Sequence, residues 1–222
     1  MPCGLVGRHA GFQSIGVVAM SRVRLATIVV AALLSTVFTA VAAPTVTAAP
    51  QAQVNDTLAA LWTSVLETPS AQNAFGDGGQ DYACWDLGGT IAPFHPVGAE
   101  SCTVKPGTKI FIVGYSYECS TFEGNGSTEA ELRACARLNS PTKSMVTLDG
   151  EPVHVTEAET PLLPITLPSD NLFSLPAGTT GLSVGHGWVA PLRPLTPGTH
   201  TIVISTDALP PVTTQIMVEP GS

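Results

Sequence analysis

The chain has 222 residues, 17 of them acidic and 9 basic, and all the acids lie from Asp56 onward while Arg8, Arg22 and Arg24 precede them. Beyond residue 43 this leaves six basic residues against seventeen acids, a net charge of −11 with histidine neutral. Such a surface repels phosphate backbones and anionic bilayers, so nucleic acid is excluded as an expected partner; otherwise the acidity reads as a solubility feature of one secreted domain.

Residues 1–43 read as an export signal, with Met20 a candidate start. Arg22 and Arg24 form a basic n-region, residues 25–43 an uncharged apolar run, and Ala40-Val41-Ala42 a small-residue cleavage site. A run of about 20 apolar residues also suffices to span a bilayer, but the small-residue, proline-containing flank favours cleavage. No cysteine ends the run, as a lipid-anchored lipoprotein would require, and no later segment is long and apolar enough to span. The expected location is secreted, extracellular or in the cell envelope, with no integral membrane segment after signal removal. Residues 44–53 read as a low-complexity linker, and residues 54–222 as a single domain.

Four cysteines lie beyond the signal: Cys84, Cys102, Cys119 and Cys135. In an oxidising compartment an even number reads as a disulfide framework with three possible connectivities. Pairing of neighbours, Cys84 with Cys102 and Cys119 with Cys135, closes the shortest loops and is the expected one. No C-x-x-C or Cys/His spacing supports a metal.

In "VNDTLAALWTSVLETP" the residues Val54, Leu58, Leu61, Trp62, Val65 and Leu66 share one helical face, with Asn55 or Asp56 as the cap and Thr68-Pro69 as the stop. A Gly/Asp/Asn-rich loop follows and enters a strand near residues 82–87. Strands are predicted over 101–104 and 109–117 around a Pro106-Gly107 turn. In the second of these Phe111, Val113, Tyr115 and Tyr117 fall on one face, with Ile110 and Ile112 on the other, as in a central strand. Thr128 and Glu131 make a T-x-x-E capping box, and Leu132, Cys135 and Leu138 recur at helical spacing.

From Ser144 the pattern is strand after strand. Asp149-Gly150 marks a hairpin because that turn needs positive φ, and Thr196-Pro197-Gly198-Thr199 fits a type II turn. It feeds a strand with His200, Ile202 and Ile204 on one face and Thr201, Val203 and Ser205 on the other. The predicted fold is mainly β: an antiparallel β-sandwich, jelly-roll-like or Ig-like, with one N-terminal helix and a short inserted helix. The runs "CTVKPGTKIF" and "GHGWVAPLRPLTPGTHTIVI" resemble segments of exported bacterial proteins of uncharacterised function. The resemblance implies a secreted β-rich fold and transfers no catalytic residue.

Several patterns could carry chemistry. "GLSVG", residues 181–185, satisfies G-x-S-x-G with Ser183 as nucleophile, but the extended "HGWVAPL" follows where a helix is needed, and no histidine follows Asp207. A bend or bulge in a strand is the reading preferred. His95, His154, His186 and His200 lack ligand spacing, and whether His186 and His200 share a sheet face depends on register. Carboxylates gather at Glu118, Glu123, Glu129 and Glu131, and again at Asp149, Glu151, Glu157 and Glu159; solvated acidic edges are the preferred reading, with Ca²⁺ the one cofactor the loop of Asp77 and Asp81 faintly suggests. Tyr82, Trp85, Tyr115, Tyr117 and Trp188 could form a sugar-stacking platform; Trp85, beside Cys84 and a Gly-rich loop, is the least committed to a core. The expected function is a disulfide-stabilised binding or surface-interaction module for polysaccharide or cell-envelope material. The alternatives are a small secreted hydrolase or a structural envelope protein, and with no coherent catalytic constellation the sequence leans away from an enzyme without deciding it.

Overall fold

The computed structural model describes residues 50–98 and 100–221; the segment read as an export signal at 1–43 and most of that read as a linker at 44–53 lie outside them. The described chain is mainly β, with two sheets and two α-helices. In chain order its elements are α1 (Gln51–Glu67), β1 (Cys84–Asp86), β2 (Thr90–Pro93), β3 (Ser101–Val104), β4 (Lys109–Ser120), α2 (Glu129–Leu138), β5 (Ser144–Leu148), β6 (Glu151–Val153), β7 (Thr156–Glu159), β8 (Leu163–Thr166), β9 (Thr180–Leu192), β10 (Gly198–Thr206) and β11 (Val212–Val218). Among the described residues no helix is long and apolar enough to cross a membrane.

One sheet runs β1-β2-β4-β9-β7 with β8 also on β9; the other runs β3-β11-β10-β5-β6. Each contains one parallel pair, β2 with β4 and β3 with β11, so the sheets are mixed where an antiparallel arrangement was expected. The cause is the path of β3, which leaves the first sheet, joins the second, and returns the chain to the first as β4. Cys84 on β1 and Cys102 on β3 are disulfide-bonded and tie the two sheets together across that crossing. The other disulfide, Cys119–Cys135, ties α2 to β4. Two disulfides fit an oxidising, non-cytoplasmic compartment.

The larger sheet is covered on both faces. On one, the six apolar residues of α1 named above pack with Phe111, Val113, Val189, Leu163 and Ile165. At about 1.5–3 kcal/mol per buried side chain, docking this helix contributes on the order of 10 kcal/mol before entropy. The opposite face meets the smaller sheet through Ile110, Ile112 and Ala190 against Ile202, Ile204, Ile216 and Val218. Farther along the same face α2 takes over, with Leu132 and Ala136 on Cys119 and Val184. Its capping box is formed as expected, Thr128 accepting from the Glu131 N–H and Glu131 accepting from the Thr128 N–H. Leu138, by contrast, is 85 % exposed; Ala136 is buried instead, since the helix presents only a narrow strip to the sheet.

Two further expectations are corrected. The first helix begins at Gln51, inside the stretch read as linker, and carries no side-chain cap at Asn55 or Asp56. And Tyr115 and Tyr117 do not share a face with Phe111 and Val113. The register against β9 shifts between Val113 and Tyr115, a β-bulge that reverses the side-chain alternation beyond it. Ser116 therefore meets the α1 side, accepting from the Trp62 indole N–H at 2.8 Å, while the Tyr115 hydroxyl donates to the Asn139 carbonyl beside α2. The Asp149-Gly150 hairpin is formed, with φ of 52° and 88°.

Candidate functional site

The bulge and the three-layer packing bring residues from four distant segments to the edge strand β7. An edge strand exposes unpaired backbone groups, and here side chains of α1 cover them: Gln51 Nε2 donates to the Glu157 carbonyl at 2.9 Å, and the Glu159 N–H donates to Asn55 Oδ1 at 3.4 Å. Gln51 also donates to Asn55 Oδ1 at 2.9 Å, so the two amides hold one another in place. Between this end of α1, the end of α2 and β7 lies a cleft of about 260 Å³ lined by Gln51, Asn55, Arg137, Glu157, Glu159 and His186.

Its floor is electrostatically organised. Glu159 accepts from Arg133 at 2.5 Å and from Arg137 at 2.7 and 3.0 Å, and Arg133 also pairs with Glu129 at 2.6 Å. His186, almost wholly buried, meets Glu157 Oε1 through Nε2 and Ser140 Oγ through Nδ1, both at 2.9 Å. The Ser140 hydroxyl donates to the Ala136 carbonyl at 2.9 Å. This chain links serine, histidine and acid, yet with the ring nitrogens exchanged relative to a nucleophilic triad, in which serine meets Nε2 and the acid Nδ1. Ser140 lies outside the cleft lining and its proton is already engaged, so the arrangement fixes the imidazole and the cleft wall.

The residues singled out from sequence are distributed otherwise. Ser183 is the fourth residue of β9, wholly buried, hydrogen-bonded to Glu118. No turn into a helix follows, which removes the nucleophile-elbow reading. Gly185 and Gly187 permit close approach: a Cβ at 185 would lie 2.7 Å from Trp62 Nε1, and one at 187 would lie 2.6 Å from Ser116 Cα. The irregularity near this motif is on the partner strand, at the β4 bulge. Trp85 is corrected as a ligand candidate: it is 7 % exposed in the α1-side core and its indole N–H donates to the Phe94 carbonyl at 2.9 Å, leaving no face for a sugar. Trp188 is half-buried and donates to the Pro141 carbonyl. His186 and His200 lie in different sheets.

Most of the clustered carboxylates are exposed, as the solvated edges expected, while Glu118 is buried and Glu159 half-buried, and several hold partners. Glu131 caps α2, Glu129 and Glu159 hold arginines, and Asp149 accepts from the Thr201 N–H at 2.8 Å and pairs with His200 at 2.7 Å. Glu118 is buried, and burial first, then the charge of Glu123, pushes its carboxyl up to about 9 against the opposing hydrogen bonds of Ser183 and Ser120. Asp77 accepts from Ser70 at 3.3 Å, and among the described residues no group of three or more His, Cys, Asp or Glu side chains is placed to hold a metal. Sequence reading missed Gln51 and Arg137 altogether and took Asn55 only for a helix cap, because nothing in their local pattern separates them from ordinary helix surface. No protein-family model and no curated protein matches the chain.

Proposed function

We propose that the chain is exported and acts as a secreted binding module, a disulfide-stabilised β-sandwich that takes polysaccharide or cell-envelope material at the β7 cleft. One observation carries this reading: the cleft is lined almost entirely by hydrogen-bonding side chains that are already locked by one another. Preorganised amide, guanidinium and carboxylate groups suit a hydroxyl-rich ligand, because no side chain must be ordered at the moment of binding. The cleft holds both signs of charge at close quarters, which favours a neutral polar ligand over an anion or a cation. The hydrolase alternative is left with the Ser140, His186 and Glu157 chain, whose atom order does not activate a serine.

The test is a thermal-shift and calorimetry series with soluble cello-, malto- and chito-oligosaccharides. A ligand at a hundred times its Kd stabilises the fold by about 2.7 kcal/mol, a rise of roughly 5–10 °C for a domain of this size. The expected result is a saturable rise with at least one series that Arg137→Ala and Gln51→Ala abolish. No shift with any series, or a shift that both substitutions leave intact, overturns the cleft as the site.

A further inference from the structure

Helix α2 is held to the sheet by little apolar surface. It buries Leu132 and Ala136, where α1 buries six side chains. At 10 residues it is also too short to persist alone in water, where about 12–15 are needed even for good helix formers. Its polar anchors reach into the β7 cleft. Arg133 donates to Glu159 and to the Thr160 carbonyl, and Arg137, 60 % exposed, donates to Glu159. Just beyond the helix Ser140 meets the His186 ring, and the Trp188 indole N–H donates to the Pro141 carbonyl. Ion pairs open to water hold little. The remaining tie is Cys119–Cys135, which joins the second half of α2 to β4.

We infer that Cys119–Cys135 is a redox latch: closed, it seats α2 and completes the β7 cleft; open, it lets α2 leave while both sheets stay folded. The inference rests on the cleft being the binding site and adds the regulation of that site. Three cleft side chains depend on the seat. Arg137 lies on α2 itself, Glu159 takes its cations from Arg133 and Arg137, and His186 takes its Nδ1 partner from Ser140. The sheets do not depend on it, since they meet through Ile110, Ile112 and Ala190 against β10 and β11 and are tied separately by Cys84–Cys102. The latch opens by exchange with a dithiol. Cys119 is wholly buried and Cys135 half-buried, so the entering thiolate attacks Cys135 Sγ, and the Cys119 sulfur leaves as a thiolate and takes up a proton. The second sulfur of the dithiol then displaces Cys135, leaving two protein thiols and the reagent oxidised to its own disulfide. The reverse exchange, with an oxidised dithiol, closes the latch. A chain with this pair still reduced therefore has its sheets but not its cleft, and the oxidising compartment that the disulfides fit completes the site.

The experiment is hydrogen–deuterium exchange read by mass spectrometry on the wild type in graded dithiothreitol, with alkylation mapping the open cysteines, and on the double variant Cys119→Ala, Cys135→Ala. Amides of Glu129–Leu138 are expected to exchange at least about tenfold faster in the variant and in wild type opened at this pair, while those of β10 and β11 keep their protection. Trp188 fluorescence should shift towards the exposed form, and reoxidation of the wild type should restore both signals. Unchanged exchange in α2 overturns the inference. Loss of protection throughout the variant also overturns it, because the link then holds the whole domain, and so does a pair that dithiothreitol opens only together with global unfolding. Binding of the soluble cello-, malto- and chito-oligosaccharides is scored apart. A series that binds the oxidised wild type should bind the double variant at least about tenfold more weakly, and equal binding overturns the latch as a regulator of the cleft. No binding to either form counts against the cleft reading alone, and the exchange data then judge the latch.

Discussion

The indole of Trp62 lies against the backbone of Gly185, so close that a methyl group at 185 would sit 2.7 Å from Nε1. The ring cannot move aside without losing its 2.8 Å bond to Ser116 and its edge-on contact with Phe94. Gly185→Ala is therefore expected to destabilise the fold by about 2–3 kcal/mol, the upper range for overpacking a filled core. Thermal melting should fall by roughly 5–10 °C, with the sheet signature in circular dichroism unchanged below the transition.

Asn73 is wholly buried below the end of α1, donating to the Val65 carbonyl at 2.6 Å and the Thr68 carbonyl at 3.2 Å while accepting from the Phe75 N–H. It satisfies carbonyls at the helix end, the bond to Val65 being buried and that to Thr68 partly so. Asn73→Ala leaves them unpaired, at a cost of about 1–3 kcal/mol for each buried polar group orphaned. Chemical denaturation should show a lower midpoint with an unchanged slope.

Glu118 sets a pH dependence whose sign is unusual for a carboxylate. Its folded value, about 9, lies above its ordinary 4.5, so between those values the unfolded chain has released a proton that the folded chain keeps. Stability accordingly falls as pH rises from 4.5 towards 9, and below 4.5 the group contributes nothing. Glu118→Gln should remove much of this slope and melt higher than the wild type at pH 9, by an amount on the order of a few kcal/mol, the effective cost of one buried charge. Equal slopes in the two proteins would show that Glu118 is ionised in the fold.

His200 and Asp149 behave oppositely. The bond to Asp149, then that to the Thr196 carbonyl, raises the His200 imidazole above 6.5, and the Thr201 N–H, then His200, lowers Asp149 below 3.8. The His200 contribution is complete below pH 6.5 and lost as pH rises through its raised value; that of Asp149 is complete above 3.8 and lost as pH falls through its lowered one. Both act together between about pH 4 and 6.5. Asp149→Asn keeps a residue that tolerates positive φ before Gly150 and removes the charge. In an NMR titration the His200 ring protons should then report a value closer to 6.5, and high salt should move the wild type the same way, since Asp149 is half exposed.

Local signals were legible and relayed ones were not. The six buried residues of α1, the Thr128 and Glu131 box and the Asp149-Gly150 turn each depend on neighbours within one or two turns of chain, so their chemistry is written contiguously. The bulge beyond Val113 is one added residue in a strand of ordinary composition, and it alone reversed the facing of Tyr115 and Tyr117. Glu118 reads like any strand acid until β9 and the Ser183 hydroxyl close over it. The cleft was hidden for a further reason: its groups come from residues 51, 55, 137, 157, 159 and 186, and only the docking of both helices around β7 makes them neighbours.

The two cysteine links also determine how the domain answers to tension. A chain pulled from its ends pays out contour as its sheets open, but the segments spanned by Cys84–Cys102 and Cys119–Cys135, with separations of 18 and 16 residues, stay locked inside closed loops. At about 3.3 Å per residue this withholds roughly 110 Å of extension. Under load the domain therefore reaches a shorter length than a chain of the same size without the two links.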